Sequence, residues 1–434
     1  MKFIYADSLD YVDPRYDFLT DRSPNGREPH WDDVYPHEIL GYAPYDGILV
    51  SHAIVMNGKY TLAQAMRFRL VGAREFLRFS EEKFPNSWII GDSGAFSYHK
   101  EFVPPISVED MIQFYAEGGF THGCSVDHVI FDFDEKARGT GGGSEEARRR
   151  FDITLENARN FLRSTKSLGN RFTPMGVIQG WSPDSMGVAA EKLQAMGYTY
   201  LAVGGMAPLR SDPIHACLDA IREKIRPDTR LHILGFAKAD QIHEFARHNI
   251  TSFDTTSPLL RAFKDQKSNY FLPGTDGKLR YYSAIRIPQA LESNTLKRLV
   301  KFGRITQEEL LKLERDALDS VRGYDRREVG LERALDATTK YAEILLTDPD
   351  PDARPIPEKK MHELRRRYRE TLEDRPWERC GCAICSNLSV EVAIFRSSNR
   401  NKRRGIHNLH VYCHHIKAIE GSVEVEPQID LFCH

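Results

Sequence analysis

The chain has 434 residues, 41% apolar and 28% charged, with 60 basic against 62 acidic side chains and a formal net charge of −2. This is the composition of a globular protein of two or three domains at about 150 residues each. No apolar run reaches the roughly 20 residues of a membrane span. The opening Met1-Lys-Phe-Ile-Tyr-Ala-Asp7 turns acidic too early for a signal-peptide core, so the sequence argues against a secreted or membrane-spanning protein.

Residues 1–46 are read as an N-terminal extension packed on the unit that follows. From 47 to 255, short β-branched runs alternate with longer amphipathic stretches, the pattern of βα units. Strands are predicted over 47–55, 87–91, 123–130, 175–179, 200–204, 232–236 and 251–254, with an eighth over 281–287. Ser182-Pro183-Asp184 offers a capping hydroxyl before a proline, and Met186, Ala189 and Leu193 then recur on one helix face. Ser211-Asp212-Pro213 repeats the device ahead of Ile214, Cys217, Leu218 and Ile221. An α/β fold follows: a (β/α)8 TIM barrel over 47–347, with a doubly wound open sheet as the alternative. Arg138-Gly-Thr-Gly-Gly-Gly-Ser144 lacks the lysine and spacing of a P-loop and reads as a mobile loop at the barrel mouth. Beyond 290 the periodicity is helical as far as Leu346. The Pro-rich stretch 348–357 then reads as a linker, and 348–434 as a C-terminal zinc-binding, basic subdomain.

Five of the seven cysteines (Cys380, Cys382, Cys385, Cys413 and Cys433) crowd the C-terminal end, which favours a metal in a reducing, cytoplasmic compartment over a disulfide framework. Cys380-Gly-Cys382-Ala-Ile-Cys385 supplies three thiolates within six residues. His407, His410, Cys413, His414 and His415 are candidates for the fourth ligand of one structural, tetrahedral Zn2+. Between 354 and 404, fourteen Lys or Arg stand against seven Asp or Glu. The dense runs Arg365-Arg366-Arg367 and Arg400-Asn-Lys402-Arg403-Arg404 favour a nucleic-acid partner.

In a barrel, residues just past the strand ends face the active site. Asp92, Asp127, Gln179, Gly204-Gly205 and Asp254 all fall there, so three carboxylates and an amide are expected to converge. Here the sequence resembles the tRNA-guanine transglycosylase superfamily. Asp92-Ser-Gly-Ala-Phe96, Gly176-Val-Ile-Gln-Gly180, Ala202-Val-Gly-Gly-Met206 and Phe253-Asp254 are similar to its motifs, as is the cysteine run, for which the family uses a His followed by Asn, here His407. Ala95, Ser97, Trp181 and Ala207-Pro-Leu-Arg210 depart from the pattern around the pocket. Tyr5-Ala-Asp-Ser-Leu-Asp10, Asp32-Asp33-Val-Tyr-Pro-His-Glu38 and Pro44-Tyr-Asp-Gly-Ile-Leu-Val-Ser51 resemble the branch called DpdA, which is implicated in placing 7-deazaguanine bases in DNA.

The resemblance implies a glycosyltransferase that exchanges guanine in DNA for a 7-deazaguanine, the 7-cyano form (preQ0), through a covalent glycosyl-enzyme. It assigns Asp254 as nucleophile and Asp92 as acid and base. Asp127, Gln179, Gly204 and Gly205 suit the guanine edge, with Met206 or Phe96 stacking on the ring. Duplex DNA would have to be opened, so helper proteins, an ATPase among them, are expected partners. A tRNA substrate is the near alternative, and a non-catalytic zinc-containing nucleic-acid-binding subunit the alternative from another class.

Overall fold

The structure, a computed structural model, describes residues 1–419 except 237, 275, 276 and 351. Cys433 and the rest of 420–434 lie outside the described residues. Eight parallel strands close a barrel in chain order: β1 (Lys2–Ala6), β2 (Gly47–Ser51), β3 (Trp88–Asp92), β4 (His122–Cys124), β5 (Thr173–Ile178), β6 (Tyr200–Val203), β7 (Arg230–Ile233) and β8 (Ser252–Thr255). β1 closes the ring by pairing with both β2 and β8.

Two expectations are corrected here. The first strand comes from the segment read as an extension, because Phe3, Ile4 and Tyr5 are buried and bond into the sheet. The strand predicted over 281–287 is not in the barrel. Instead β9 (Tyr270–Pro273) and β10 (Leu279–Tyr282) form an antiparallel hairpin, and Ile285–Arg286 pairs with Ile394–Phe395. The other seven strands stand where predicted, although 52–57 is helical and the chain beyond Cys124 leaves the strand at once.

Period-two alternation along the strands decides what fills the barrel. Ile4, Leu49, Ile90, Cys124, Met175, Val177, Tyr200 and Ala202 pack together inside it. The outward side chains meet the surrounding helices. On Pro183–Met196 the Ser182 hydroxyl accepts from Ser185 N, and Met186, Ala189 and Leu193 are buried as expected. On Ser211–Lys224 the apolar stripe is buried too, but Ser211 begins the helix without capping it and its hydroxyl bonds Gln241.

The stretch 348–357 does not separate two units. It joins helices Leu331–Leu346 and Glu358–Asp374, which pack on each other. The long helix Ser398–Ile419 lies against helix Ser257–Lys264, which directly follows β8. The approach is close: a Cβ on Gly405 would sit 2.8 Å from Leu259 Cγ.

Candidate active site and metal centre

A side chain two positions beyond a barrel-filling residue points the same way, one layer nearer the C-terminal mouth. Ser51 follows Leu49, Asp92 follows Ile90, Gln179 follows Val177 and Gly204 follows Ala202; Asp254 stands two beyond the buried Ser252 on β8. Parity therefore brings these strand-end residues into one layer, whereas Asp127, in the loop beyond β4, is held by Gln179 and Ser93.

Asp92 is partly accessible from the mouth, but its Oδ1 is enclosed and has no hydrogen-bond partner among the described residues. Burial pushes its carboxyl up to about 7; the Ser51 hydroxyl opposes the shift, and the charges of Asp254 and Asp127 add to it. The three carboxylates thus lie within electrostatic reach of one another. Asp254 is buried, and its Oδ1 accepts from Gly235 N–H at 2.9 Å and lies 3.2 Å from His232 Nε2.

Asp127 is pushed up to about 6 by burial, against hydrogen bonds from Gln179 and Ser93. Gln179 Nε2 donates to Asp127 Oδ2 at 2.7 Å, and Gln179 Oε1 accepts from Ile130 N at 3.2 Å. Ser93 Oγ donates to Asp127 Oδ1 at 3.2 Å and accepts from Tyr98 Oη at 2.7 Å. The two glycines are needed for space. A Cβ on Gly204 would fall 2.3 Å from Gln179 Nε2, and Gly205 has φ +74°. Of the two stacking candidates, Met206 is 1% exposed, whereas Phe96 is 57% exposed and its ring meets Phe131 edge-on at 5.5 Å.

The glycine tract does not hang free at the mouth. Trp181 Nε1 donates to Gly141 O at 3.0 Å, Gly139 N donates to Asp184 Oδ2 at 2.9 Å, and a Cβ on Gly143 would lie 2.7 Å from the Trp181 ring. Trp181, a departure from the family pattern, is thus the residue that pins the loop.

Cys380, Cys382, Cys385 and His407 bring their donor atoms within 4.8 Å of one another. Three thiolates and an imidazole at that spacing fit a tetrahedral zinc site with no open position. Among the described residues no second group of three or more such donors stands close enough together to hold an ion. His407 Nδ1 faces the sulfurs, at 3.5 Å from Cys382 and 3.3 Å from Cys385, while its Nε2 donates to Phe271 O at 2.7 Å, which fixes the ring. Its neighbour Asn408 bonds Phe271 N, Asn269 O and Pro258 O, so the centre is tied to the helix that follows β8.

The basic runs are corrected. Arg400, Arg403 and Arg404 are at most 4% exposed and cannot grip phosphates. Arg400 is enclosed by Asp21, Glu391 and Phe18 O, Arg403 donates to Asp13 O, and Arg404 donates to Val392 O and Ile394 O. Lys402 reaches Leu9 O and Tyr11 O, both at 3.2 Å. Arg400, Lys402 and Arg403 sew the long helix to the segment after β1, and Arg404 ties it to residues 392–394, because buried guanidinium groups need carbonyl and carboxylate partners. Arg365, Arg366 and Arg367 are on the surface, but each pairs with an acidic neighbour: Glu332 and Asp336, Glu363 and Glu370, and Glu363 respectively.

Ser51, Ser93, Tyr98, His232, Gly235 and Ser252 escaped the sequence reading. A polar residue at a buried position of a barrel strand, as His232 and Ser252 are, was the available signal.

No protein-family model matches the chain. It is similar to a DNA-guanine transglycosylase of Salmonella montevideo, 39% identical over 417 residues that cover 95% of each chain. It also resembles two queuine tRNA-ribosyltransferases over about a third of its length. That of Aeromonas hydrophila subsp. hydrophila is 29% identical over 142 residues, 32% of this chain and 36% of the relative. That of Stenotrophomonas maltophilia is 29% identical over 147 residues, 33% and 38%.

Proposed function

Since the chain belongs to the guanine transglycosylases, pentosyltransferases by chemistry, we propose that it exchanges guanine in DNA for a 7-deazaguanine base, the 7-cyano form, through a glycosyl ester on Asp254. Exchanging a base without losing the sugar to water calls for a covalent intermediate that splits one difficult step into two. Asp254 Oδ2 attacks C1′ from the face opposite the base, as the carboxylate nucleophile of a retaining glycosidase does. Asp92 protonates the departing guanine and later takes the proton of the incoming base. A carboxyl poised at about 7 is suited to both halves near neutral pH. Two inversions at C1′ give net retention.

Asp127, held by Gln179 and Ser93, presents an acceptor to the N1–H and 2-amino edge. The remaining Gln179 N–H and the Gly205 N–H suit O6, and Phe96 stacks on the ring. A base lacking these groups leaves buried partners unpaired, at about 1–3 kcal/mol each. Cys380, Cys382, Cys385 and His407 hold a structural zinc ion, which supplies no step of the exchange and steadies the helix after β8. Access to C1′ in a duplex requires the nucleotide to be flipped, at a cost of a few kcal/mol, so duplex-opening helper proteins fit the reading.

What carries the proposal is the pairing of unlike carboxylates within electrostatic reach of each other: Asp254 held at one oxygen by two neighbours, Asp92 raised by burial. The likeness to the DNA-acting relative spans nearly the whole chain, whereas that to the tRNA-acting relatives spans about a third, which favours DNA. The test is incubation with the 7-cyano base and either DNA or tRNA, followed by nucleoside mass spectrometry. The modified nucleoside is expected in DNA with wild type and in neither polymer with Asp254→Asn. Its appearance in tRNA alone would reverse the substrate assignment.

A further inference from the structure

Below Asp254, polar side chains from three adjacent strands form a hydrogen-bonded file through the apolar barrel floor. Tyr200 Oη on β6 is 2.5 Å from Ser252 Oγ on β8, Ser252 Oγ is 2.6 Å from His232 Nδ1 on β7, and His232 Nε2 is 3.2 Å from Asp254 Oδ1. Tyr200, His232 and Ser252 are 0% exposed. Register makes this possible, because His232 pairs directly with Ser252 across β7 and β8.

With Asp254 as the acceptor at one end, the file closes with His232 Nε2–H donating to it and Nδ1 accepting. Ser252 then donates to Nδ1 and in turn accepts from Tyr200. That phenol keeps its proton, since burial pushes it up to about 12. The imidazole thereby presents its Nε2–H to the carboxylate, as hydrogen bonding at one ring nitrogen determines the other. Together with Gly235 N–H, it places two donors on Oδ1 and leaves Oδ2 to the sugar.

We propose that His232, locked by Ser252 and Tyr200, is a positioning residue of the exchange reaction, acting through Asp254; the inference rests on Asp254 being the nucleophile. In the first half-reaction the Oδ2–C1′ bond forms, the C1′–N9 bond breaks, and its electron pair leaves on guanine, which takes the Asp92 proton. In the second half-reaction a nitrogen of the incoming base bonds C1′, the ester electrons return to Asp254, and the base's proton returns to Asp92. Negative charge on the aspartate grows only as the ester breaks. Two fixed donors on Oδ1 favour that step most, in the manner of an oxyanion hole.

The experiment compares wild type, His232→Phe, His232→Gln, Ser252→Ala and Asp254→Asn in guanine exchange on a DNA oligonucleotide. It measures kcat, KM for DNA, and the fraction of enzyme trapped as denaturation-resistant DNA adduct at steady state, with melting temperature and metal content as folding controls. His232→Phe is expected to lower kcat by about 10²–10³, with KM changed less than about threefold and the adduct fraction raised. His232→Gln, which retains a donor, restores most of the rate, and Ser252→Ala falls between them. Wild-type kcat and adduct fraction in His232→Phe, beside an inactive Asp254→Asn, would overturn the positioning role alone. Should His232→Phe fail to fold, equal losses in the folded His232→Gln and Ser252→Ala without any change in adduct would do the same. Activity in Asp254→Asn would overturn the nucleophile reading and this inference with it.

Discussion

Replacing Asp92 by asparagine removes a carboxyl that the barrel holds in an unfavourable place, and its effect on stability depends on pH in a calculable direction. Unfolded, an aspartate titrates near 3.9; folded, Asp92 is raised to about 7 by burial, with the Asp254 and Asp127 charges adding to the shift. Between those values the folded protein keeps a proton that the unfolded chain has released, so this residue lowers stability progressively as pH rises from about 4 to about 7, and by a constant amount above. Three pKa units at about 1.4 kcal/mol each set a ceiling of about 4 kcal/mol. Solvent entering at the barrel mouth reduces this to about 2–3. Asp92→Asn is isosteric and uncharged, so urea unfolding at pH 4.5 and 8.5 should show the variant gaining about 2–3 kcal/mol on wild type between the two, while exchange activity falls by about 10²–10⁴. Parallel stability profiles would mean that Asp92 is ordinarily solvated, and its role in carrying the guanine proton would lose its physical basis.

Cys382→Ser should bring bound metal below one per chain and destabilise the C-terminal region by several kcal/mol, as read by metal analysis and thermal melting, since structural zinc contributes about 10–16 kcal/mol in finger peptides. Gly143→Ala puts a side chain on a residue at φ +70°, with its Cβ 2.7 Å from the Trp181 ring. It should cost about 1–3 kcal/mol, and combination with Trp181→Ala should cost less than the two single changes added together. Arg400→Ala removes one of two arginines from each of Asp21, which keeps Arg396, and Glu391, which keeps Arg322, and should cost about 1–3 kcal/mol. Its nucleic-acid affinity, measured as a function of salt, should keep the wild-type slope, because a buried guanidinium releases no counterions on binding.

Whatever repeats locally was legible in the order of the residues. Short β-branched runs marked seven of the eight strands, and the residues just past their ends, Asp92, Asp127, Gln179, Gly204 and Asp254, lie at the C-terminal ends of those strands. Closely spaced thiolates announced the metal centre, because three ligands within six residues meet in any fold that turns there. Only tertiary structure decided what depends on partners far along the chain. Lys2–Ala6 lies ahead of the alternating βα pattern, so nothing around it announces a strand, and it becomes one because β2 and β8 leave a gap it completes. Arg400, Arg403 and Arg404 look like a phosphate-binding run until Asp21, Glu391 and the carbonyls of distant segments enclose them; charge in a sequence does not say which side of the surface it ends on. His232 owes its place beneath Asp254 to the register of two strands, a relation between segments that neither strand encodes alone.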